Sequence, residues 1–296
     1  MSGGAEVRWL AVAEAVELHC LVWDGGAGSP LRAGYAGRPF LLVHGLASNC
    51  RTWEAVGDLL AAAGHPVAAV DQRGHGRSDK PDDGYDFATL CDDLAAVVGL
   101  LGYDRPVVVG QSTGGNIAVE LGRRMGEWLA GVGGVDGGAL ELVDQWPDWD
   151  DCARALAPPR PSGVAAVDME ARLRAAHPTW DDRGVAATMA NFEVLPDGTV
   201  RPWLSFDRHM RILRSLWEHR PSDIFPELAV PLLLALADTG DDWVSAKWAQ
   251  GERAERLAPV CRVRWFTPAD HDVHVQHPGP LAELLHGATI DGFFAS

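Results

Sequence analysis

The chain has 296 residues, 47% of them hydrophobic, and a formal net charge of −16. This length suits one α/β domain with an insertion and provides enough apolar residues for a substantial core. The acidic excess argues against nucleic acid and anionic membranes as partners, because both repel a negative surface.

Five dispersed cysteines without a CxxC pair favour a reducing compartment. The first residues lack a basic segment followed by an apolar one, and no run reaches the ~18 apolar residues of a membrane span. We therefore expect a cytoplasmic protein.

Short apolar runs alternate with stretches of helical periodicity, which is the pattern of a mostly parallel sheet covered by helices. Residues 6–12 and 16–23 predict an opening antiparallel pair. Further strands are predicted at residues 40–43, 67–70, 107–109, 130–135, 232–236 and 260–266. The sequence therefore predicts an α/β fold.

Residues 139–226 interrupt this alternation. They contain several prolines, many tryptophans and helix-like pieces but no clear strand, and they are too long for a structureless loop. We expect a helical cap here, inserted after the sixth strand, with residues 1–138 and 227–296 forming the core. Its large side chains are candidate walls of a substrate pocket, namely Trp146, Trp149, Trp180, Phe192, Trp203, Met210 and Trp217.

The motif Gly110-Gln111-Ser112-Thr113-Gly114 follows the predicted strand at 107–109 and precedes a helical run at 116–125. A serine on such a strand-to-helix turn holds its hydroxyl clear of the backbone, as a nucleophile elbow does. The flanking glycines remove Cβ atoms that would clash where strand and helix cross. The motif alone is weak, but its context makes Ser112 the candidate nucleophile.

A serine nucleophile needs a general base and amide donors for the oxyanion. His271 lies a few residues beyond the last predicted strand and is the candidate base. The segment His44-Gly45-Leu46 leaves another strand, so the backbone N–H groups of Leu46 and Thr113 are the candidate oxyanion donors.

The spacing of His271, His274 and His277 would bring three imidazoles to one side of a helix. Pro278 limits such a helix, and there is neither an HExxH pattern nor a bridging carboxylate. We predict no metal site.

These motifs, together with the glycine-punctuated run from Asp71 to Ser78, stand in the order found in the α/β-hydrolase superfamily, which the chain resembles over nearly its whole length. The resemblance implies an eight-stranded sheet, a Ser–acid–His triad and no cofactor. It does not fix the reaction. Haloalkane-type dehalogenases and epoxide hydrolases are disfavoured, because they resemble this pattern with an aspartate where Ser112 stands.

The triad acid has more than one candidate. The commonest family pattern places it after the next-to-last strand, where Asp238 and Asp241 flank the expected position, Gly240. A second position used in part of the superfamily is about 24 residues beyond the nucleophile, and Asp136 stands there. We prefer Asp136 and keep Asp238 as the alternative acid.

Together these features favour a hydrolase of a small, largely apolar ester, lactone or related acyl compound, acting through a Ser-His-Asp triad and an acyl-enzyme. A non-hydrolytic cyclase or lyase that reuses the pocket is one alternative. A ligand-binding protein with a degenerate triad is the other. The expected partner is a small-molecule substrate, and the oligomeric state is not predicted.

Overall fold

The computed structural model describes residues 4–25, 37–160 and 163–294. The strands in these ranges are β1 (Glu6–Ala13), β2 (Val16–Trp23), β3 (Phe40–Val43), β4 (Val67–Val70), β5 (Val107–Gln111), β6 (Gly131–Val135), β7 (Phe192–Val194), β8 (Val200–Pro202), β9 (Leu232–Ala237) and β10 (Cys261–Phe266). The helices are α1 (Glu54–Ala62), α2 (Phe87–Leu101), α3 (Thr113–Met125), α4 (Trp149–Leu156), α5 (Ala166–Ala176), α6 (Asp182–Met189), α7 (Phe206–Glu218), α8 (Pro221–Ile224), α9 (Val244–Leu257), α10 (Val273–Gln276) and α11 (Pro278–Ile290).

Eight of the strands form one sheet in the order β1-β2-β4-β3-β5-β6-β9-β10. The first two pairs, β1 with β2 and β2 with β4, are antiparallel, and the others are parallel. The central strands are buried along their whole length, because helices cover both faces of a parallel sheet. The predicted eight-stranded α/β sheet is confirmed.

The parallel strands bring their carboxyl ends to one edge of the sheet, where functional groups gather in such folds. The segments that leave β3, β4, β5 and β6 at this edge begin at His44, Asp71, Ser112 and Asp136. The loop after β10 carries His271 to the same edge. The order of the strands therefore collects the residues that the sequence analysis singled out.

The insertion after β6 is confirmed and is mostly helical, with α4 to α8 between β6 and β9. The expectation of no strand there is wrong, since β7 and β8 form an antiparallel hairpin in which Phe192 faces Pro202. Each strand has only three residues, which is too short to show alternation in the sequence. That residues 139–226 form a separate cap stays a prediction.

Polar contacts join the insertion to the core. The Asn49 side-chain amide donates to the Ala187 carbonyl at 2.9 Å, and Arg208 donates to the Lys80 carbonyl at 2.7 Å. The insertion therefore touches the loops that follow β3 and β4. Across the described ranges, every helix is too short or too polar to cross a membrane.

The turn that follows β4 is fixed by buried polar groups. Asp71 accepts hydrogen bonds from the amides of Cys50 at 2.7 Å and Arg77 at 2.9 Å. The Arg73 guanidinium donates two hydrogen bonds of 2.6 Å to Asp93 on α2. Both side chains of this ion pair are buried, so the pair anchors the turn against the core.

Replacing Arg73 with Met should lower the free energy of unfolding by about 3–5 kcal/mol, because Asp93 would remain buried without its partner. Replacing Arg123 with Met removes an exposed cation paired with Glu120 and should cost no more than about 1 kcal/mol. Denaturant unfolding of both variants compares the two losses. Equal losses would show that the buried pair does not anchor the turn.

Candidate active site

The turn between β5 and α3 has the geometry of a nucleophile elbow. Ser112 has φ +52° and ψ −122°, a strained conformation for a residue with a side chain. Its amide donates to the Val135 carbonyl at the end of β6, at 2.9 Å. A Cβ atom on Gly110 would lie 2.0 Å from the Gly114 carbonyl oxygen, so the first glycine of the motif is needed for the turn to close.

The loop after β3 packs directly against this elbow. A Cβ atom on Gly45 would lie 3.1 Å from the Cβ of Ser112. Within the described residues, the amides of Leu46 and Thr113 donate to no protein acceptor. Both N–H groups are therefore available for an oxyanion beside Ser112.

His75 holds this loop in place. Its Nδ1 atom donates to the Arg73 carbonyl at 3.0 Å, and its Nε2 atom accepts the Ala47 amide at 3.2 Å. Burial lowers the pKa of His75 to about 3, so the ring is neutral and able to accept. The turn after β4 thus fixes Ala47, which has φ +61°, next to the candidate oxyanion donor Leu46.

Asp136 and His271 form a close pair at the same edge. The Nδ1 atom of His271 lies 2.5 Å from Oδ2 of Asp136, and the Ala237 amide donates to the other carboxylate oxygen at 3.0 Å. The side chain of Asp136 is 1% exposed and that of His271 is 48% exposed. The carboxylate is therefore buried behind an imidazole that faces the solvent side of the site.

The His271 loop is tied to the elbow and to the insertion. The side-chain amide of Gln111, the residue before Ser112, donates to the His271 carbonyl at 3.4 Å. The indole N–H of Trp180 donates to Asp270 at 3.1 Å. These two contacts hold the loop that carries His271, and the sequence pattern indicated neither.

Lys247 is a further member of the cluster that the sequence analysis missed. Its ammonium group lies 2.7 Å from the same Asp136 oxygen that contacts His271, and 3.3 Å from the Ala237 carbonyl. It stands on α9, far from the motifs in sequence. One signal was available: Lys80 and Lys247 are the two lysines among 25 basic residues.

The pKa values of the pair follow from these contacts. Burial alone would raise the pKa of Asp136, but the hydrogen bond from His271 and the charges of His271 and Lys247 hold it below its ordinary value. Burial lowers the pKa of His271, yet the bond and charge of Asp136 outweigh it and the net pKa is raised. The positive charge of Lys247 opposes that rise.

The structure places the other candidate acids elsewhere. Asp238 accepts a hydrogen bond from the Gly240 amide at 3.3 Å, and Asp241 accepts one from the Thr239 hydroxyl at 2.7 Å. Both carboxylates serve the turn after β9. Of the three aspartates considered, it is Asp136 that contacts His271.

The remaining histidines of the terminal segment do not gather around His271. His274 lies on α10, is buried against the ring of Trp53 at a centroid distance of 4.5 Å, and has its pKa lowered by burial to about 3. His277 follows α10 and stacks on Phe266 at 6.2 Å. The helix that would align the three imidazoles starts only at Val273, after His271.

One buried group in the described residues has metal-ligand spacing. The ligand atoms of His19, Cys50 and Asp71 all lie within 4.8 Å of one another. The Asp71 carboxylate already accepts bonds from two amides and lies 3.0 Å from Nδ1 of His19. The carboxylate oxygens of Asp71 therefore already have hydrogen-bond partners within the protein, and the cluster supports the turn after β4.

A cavity of about 1050 Å³ lies between the insertion and the loops after β3 and β4. Ala47, Ser48, His75 and Lys80 line it from the core side. Ser112 and His271 are not among its described lining residues. Ala47 and Ser48 belong to the loop after β3 that also carries Leu46, so the cavity adjoins the loop of the candidate oxyanion donor.

The structure places the predicted pocket walls in two groups. Phe192 and Trp203 line the large cavity, but five of the seven predicted residues do not, namely Trp146, Trp149, Trp180, Met210 and Trp217. Four of these pack against the main hydrophobic core, and Trp180 braces the His271 loop. The physical reason is that a helical layer must first bury its own apolar face.

The match to known families agrees with this geometry. Residues 40–284 match the model of the alpha/beta hydrolase family. The chain belongs to this family.

Individual relatives cover less of the chain. AB hydrolase superfamily protein YisY of Bacillus subtilis is 39% identical over 28% of this chain, and 2-(acetamidomethylene)succinate hydrolase of Mesorhizobium japonicum is 33% identical over 34% of it. The aligned segments span 31% and 36% of those two proteins. The chain thus spans only about a third of the length of these curated relatives.

Solved structures match over nearly the whole chain. The crystal structure of E-2-(acetamidomethylene)succinate hydrolase has a TM-score of 0.77 at 22% identity and covers 97% of this chain and 99% of that one. A thioesterase domain from the curacin biosynthetic pathway has a TM-score of 0.72 at 20% identity, with 96% and 99% covered. At this identity the similarity shows the α/β-hydrolase fold.

Replacing Lys247 with Met should move the acid limb of the pH–rate profile to higher pH. Removing its positive charge raises the pKa of His271. A general base must be neutral to accept a proton, so a rate that depends on His271 as the base falls off at a higher pH as the solution is acidified. We expect a shift of about half a unit or more, measured on the rate of fluorophosphonate labelling across pH.

The control is Arg256→Met, which removes an exposed cation from the same helix. It should leave the acid limb in place. A Lys247→Met enzyme with uniformly lower activity and an unshifted limb would show that Lys247 is merely structural.

Proposed function

We propose that this hydrolase is a serine hydrolase in which Ser112 is the nucleophile, His271 the general base and Asp136 the triad acid. The observation that carries the proposal is the 2.5 Å contact between Asp136 and His271, at the strand ends where Ser112 sits on its strained elbow. The substrate class is an ester, lactone or related acyl compound.

The first chemical step is acylation of Ser112. Nε2 of neutral His271 takes the hydroxyl proton of Ser112 as Oγ attacks the acyl carbon, and Asp136 stabilises the imidazolium that forms. The N–H groups of Leu46 and Thr113 bind the oxyanion of the tetrahedral intermediate. His271 then donates its proton to the leaving group, and an acyl-enzyme remains.

Deacylation repeats the step with water. Water gives a proton to His271 and attacks the acyl carbon, and the second tetrahedral intermediate releases the acid as Ser112 regains its proton. The neighbours support this class of reaction, since their names include a succinate-derivative hydrolase, a thioesterase domain and several esterases. A cyclase or lyase would need no acyl-enzyme, so its turnover would not require the hydroxyl group of Ser112.

The wild-type protein should form a covalent fluorophosphonate adduct on Ser112, located by peptide mass spectrometry. Ser112→Ala should abolish the adduct and the hydrolysis of p-nitrophenyl esters. His271→Ala should reduce both almost as strongly. Because triad residues act as a unit, the double variant should be little worse than either single variant.

Ser245→Ala is the matched control, because Ser245 is exposed on α9, does not line the cavity, and should leave the adduct unchanged. An adduct on another residue, or an active Ser112→Ala enzyme, would refute the acyl-enzyme mechanism. Turnover without Ser112 would instead favour a cyclase or lyase.

A further inference from the structure

The charge of the large cavity is opposite to that of the chain. Its lining contains five cationic side chains and one carboxylate, Glu193, in a protein with 41 acidic and 25 basic residues. The cations are Lys80, Arg160, Arg172, Arg201 and Arg208. We propose that this cavity binds an anionic group of the substrate, a carboxylate or a phosphate, remote from the acyl carbon that Ser112 attacks. The inference rests on the proposed function.

Lys80 is held in the core-side wall of the cavity. Its ammonium group donates to the Gly76 carbonyl at 2.9 Å and to the Ser78 carbonyl at 2.7 Å, and it lies 4.9 Å from the centroid of the Trp203 ring. An ammonium group has three N–H donors, so these two carbonyls leave one for a ligand. The group is fixed in position before any anion arrives.

Arg160 and Arg172 supply charge from the side of the insertion. Both are exposed, and neither guanidinium forms an ion pair with a carboxylate of the described residues. Arg160 instead lies over the ring of Phe206, with its guanidinium carbon 3.8 Å from the ring centroid. In a chain with so many carboxylates, two guanidinium groups that line one cavity and have no carboxylate partner in the described ranges favour an anionic ligand.

The other two cations are held by the protein. Arg201 forms an ion pair with Glu193 and so offsets the charge of the one carboxylate in the lining. Arg208 donates to the carbonyls of Lys80 and Pro81, at 2.7 and 3.1 Å, and so links the insertion to the core. Arg208 adds its charge to the cavity while positioning the backbone of Lys80.

The rest of the lining is mainly apolar. Apolar and aromatic side chains stand between the cations, among them Met169, Phe192, Trp203 and Phe206. His75 and His209 add no positive charge, because burial lowers their pKa values to about 3 and about 4. The cavity therefore fits an acyl compound with an apolar body and an anionic end, which extends the largely apolar substrate expected from the sequence.

Isothermal titration calorimetry with hexanoate, hexyl phosphate and neutral hexanamide tests the site without turnover. At low ionic strength, at least one of the two anions should bind about tenfold more tightly than hexanamide, and added salt should reduce the difference. The tighter of the two anions identifies carboxylate or phosphate as the natural group. Equal affinity for all three ligands would overturn the proposal.

The double variant Arg160→Gln/Arg172→Gln should weaken anion binding about tenfold and leave hexanamide binding unchanged. The control is Arg154→Gln/Arg174→Gln, which removes two exposed arginines of the insertion that do not line the cavity. Lys80→Met should also weaken anion binding, provided that circular dichroism shows a folded protein. Equal losses in the two double variants would contradict a specific site.

Two esters separate this inference from the proposed function. The value of kcat/KM for p-nitrophenyl hydrogen adipate should exceed that for p-nitrophenyl hexanoate, and the Arg160→Gln/Arg172→Gln variant should reduce the ratio about tenfold. Equal hydrolysis of both esters in wild type and variant would overturn the anion site and leave the serine hydrolase intact. Anion binding without hydrolysis of either ester would overturn the hydrolase and leave the cavity as an anion site.

Discussion

The buried carboxylate of Asp136 is the charge on which the arrangement of the site depends. A carboxylate with a 1% exposed side chain is stable only when it is paired and hydrogen-bonded. Three elements supply its partners: the loop after β10 brings His271, α9 brings Lys247, and β9 brings the Ala237 amide. Moving any of them would leave the charge partly uncompensated, so the carboxylate fixes the relative positions of these elements.

The backbone is strained at three positions on this edge of the sheet. Ala47, Ser112 and Asp136 each follow a parallel strand and each has a positive φ, between 42° and 61°. Such conformations cost of order 1–3 kcal/mol each and persist only where the surroundings hold them. Here the hydrogen bond of Ala47 to His75, the close packing of Gly45 on Ser112 and the polar contacts of Asp136 provide that constraint.

The sequence predicted the fold, because apolar runs and local turn motifs indicate the ends of strands directly. For the same reason Ser112, Asp136 and His271 could be located just after strands, which is where the structure has them. It preferred Asp136 but kept Asp238 as an alternative acid, since both follow strands and only the tertiary structure shows which carboxylate contacts the imidazole. The residues that line the cavity were harder to predict from the sequence. Tryptophans in a helical insertion are needed first for its own core, and the cations that line the cavity lie far apart in sequence, from Lys80 to Arg208.

The rate of fluorophosphonate labelling of Ser112 in Asp136→Asn and Asp238→Asn tests the central claim most directly, because it needs no knowledge of the natural substrate. An acid that fixes the histidine tautomer contributes about 10⁴ in rate. We expect Asp136→Asn to slow labelling by orders of magnitude and Asp238→Asn to leave it close to wild type. Slow labelling in Asp238→Asn with near-normal labelling in Asp136→Asn would contradict the account and move the triad acid to the loop after β9.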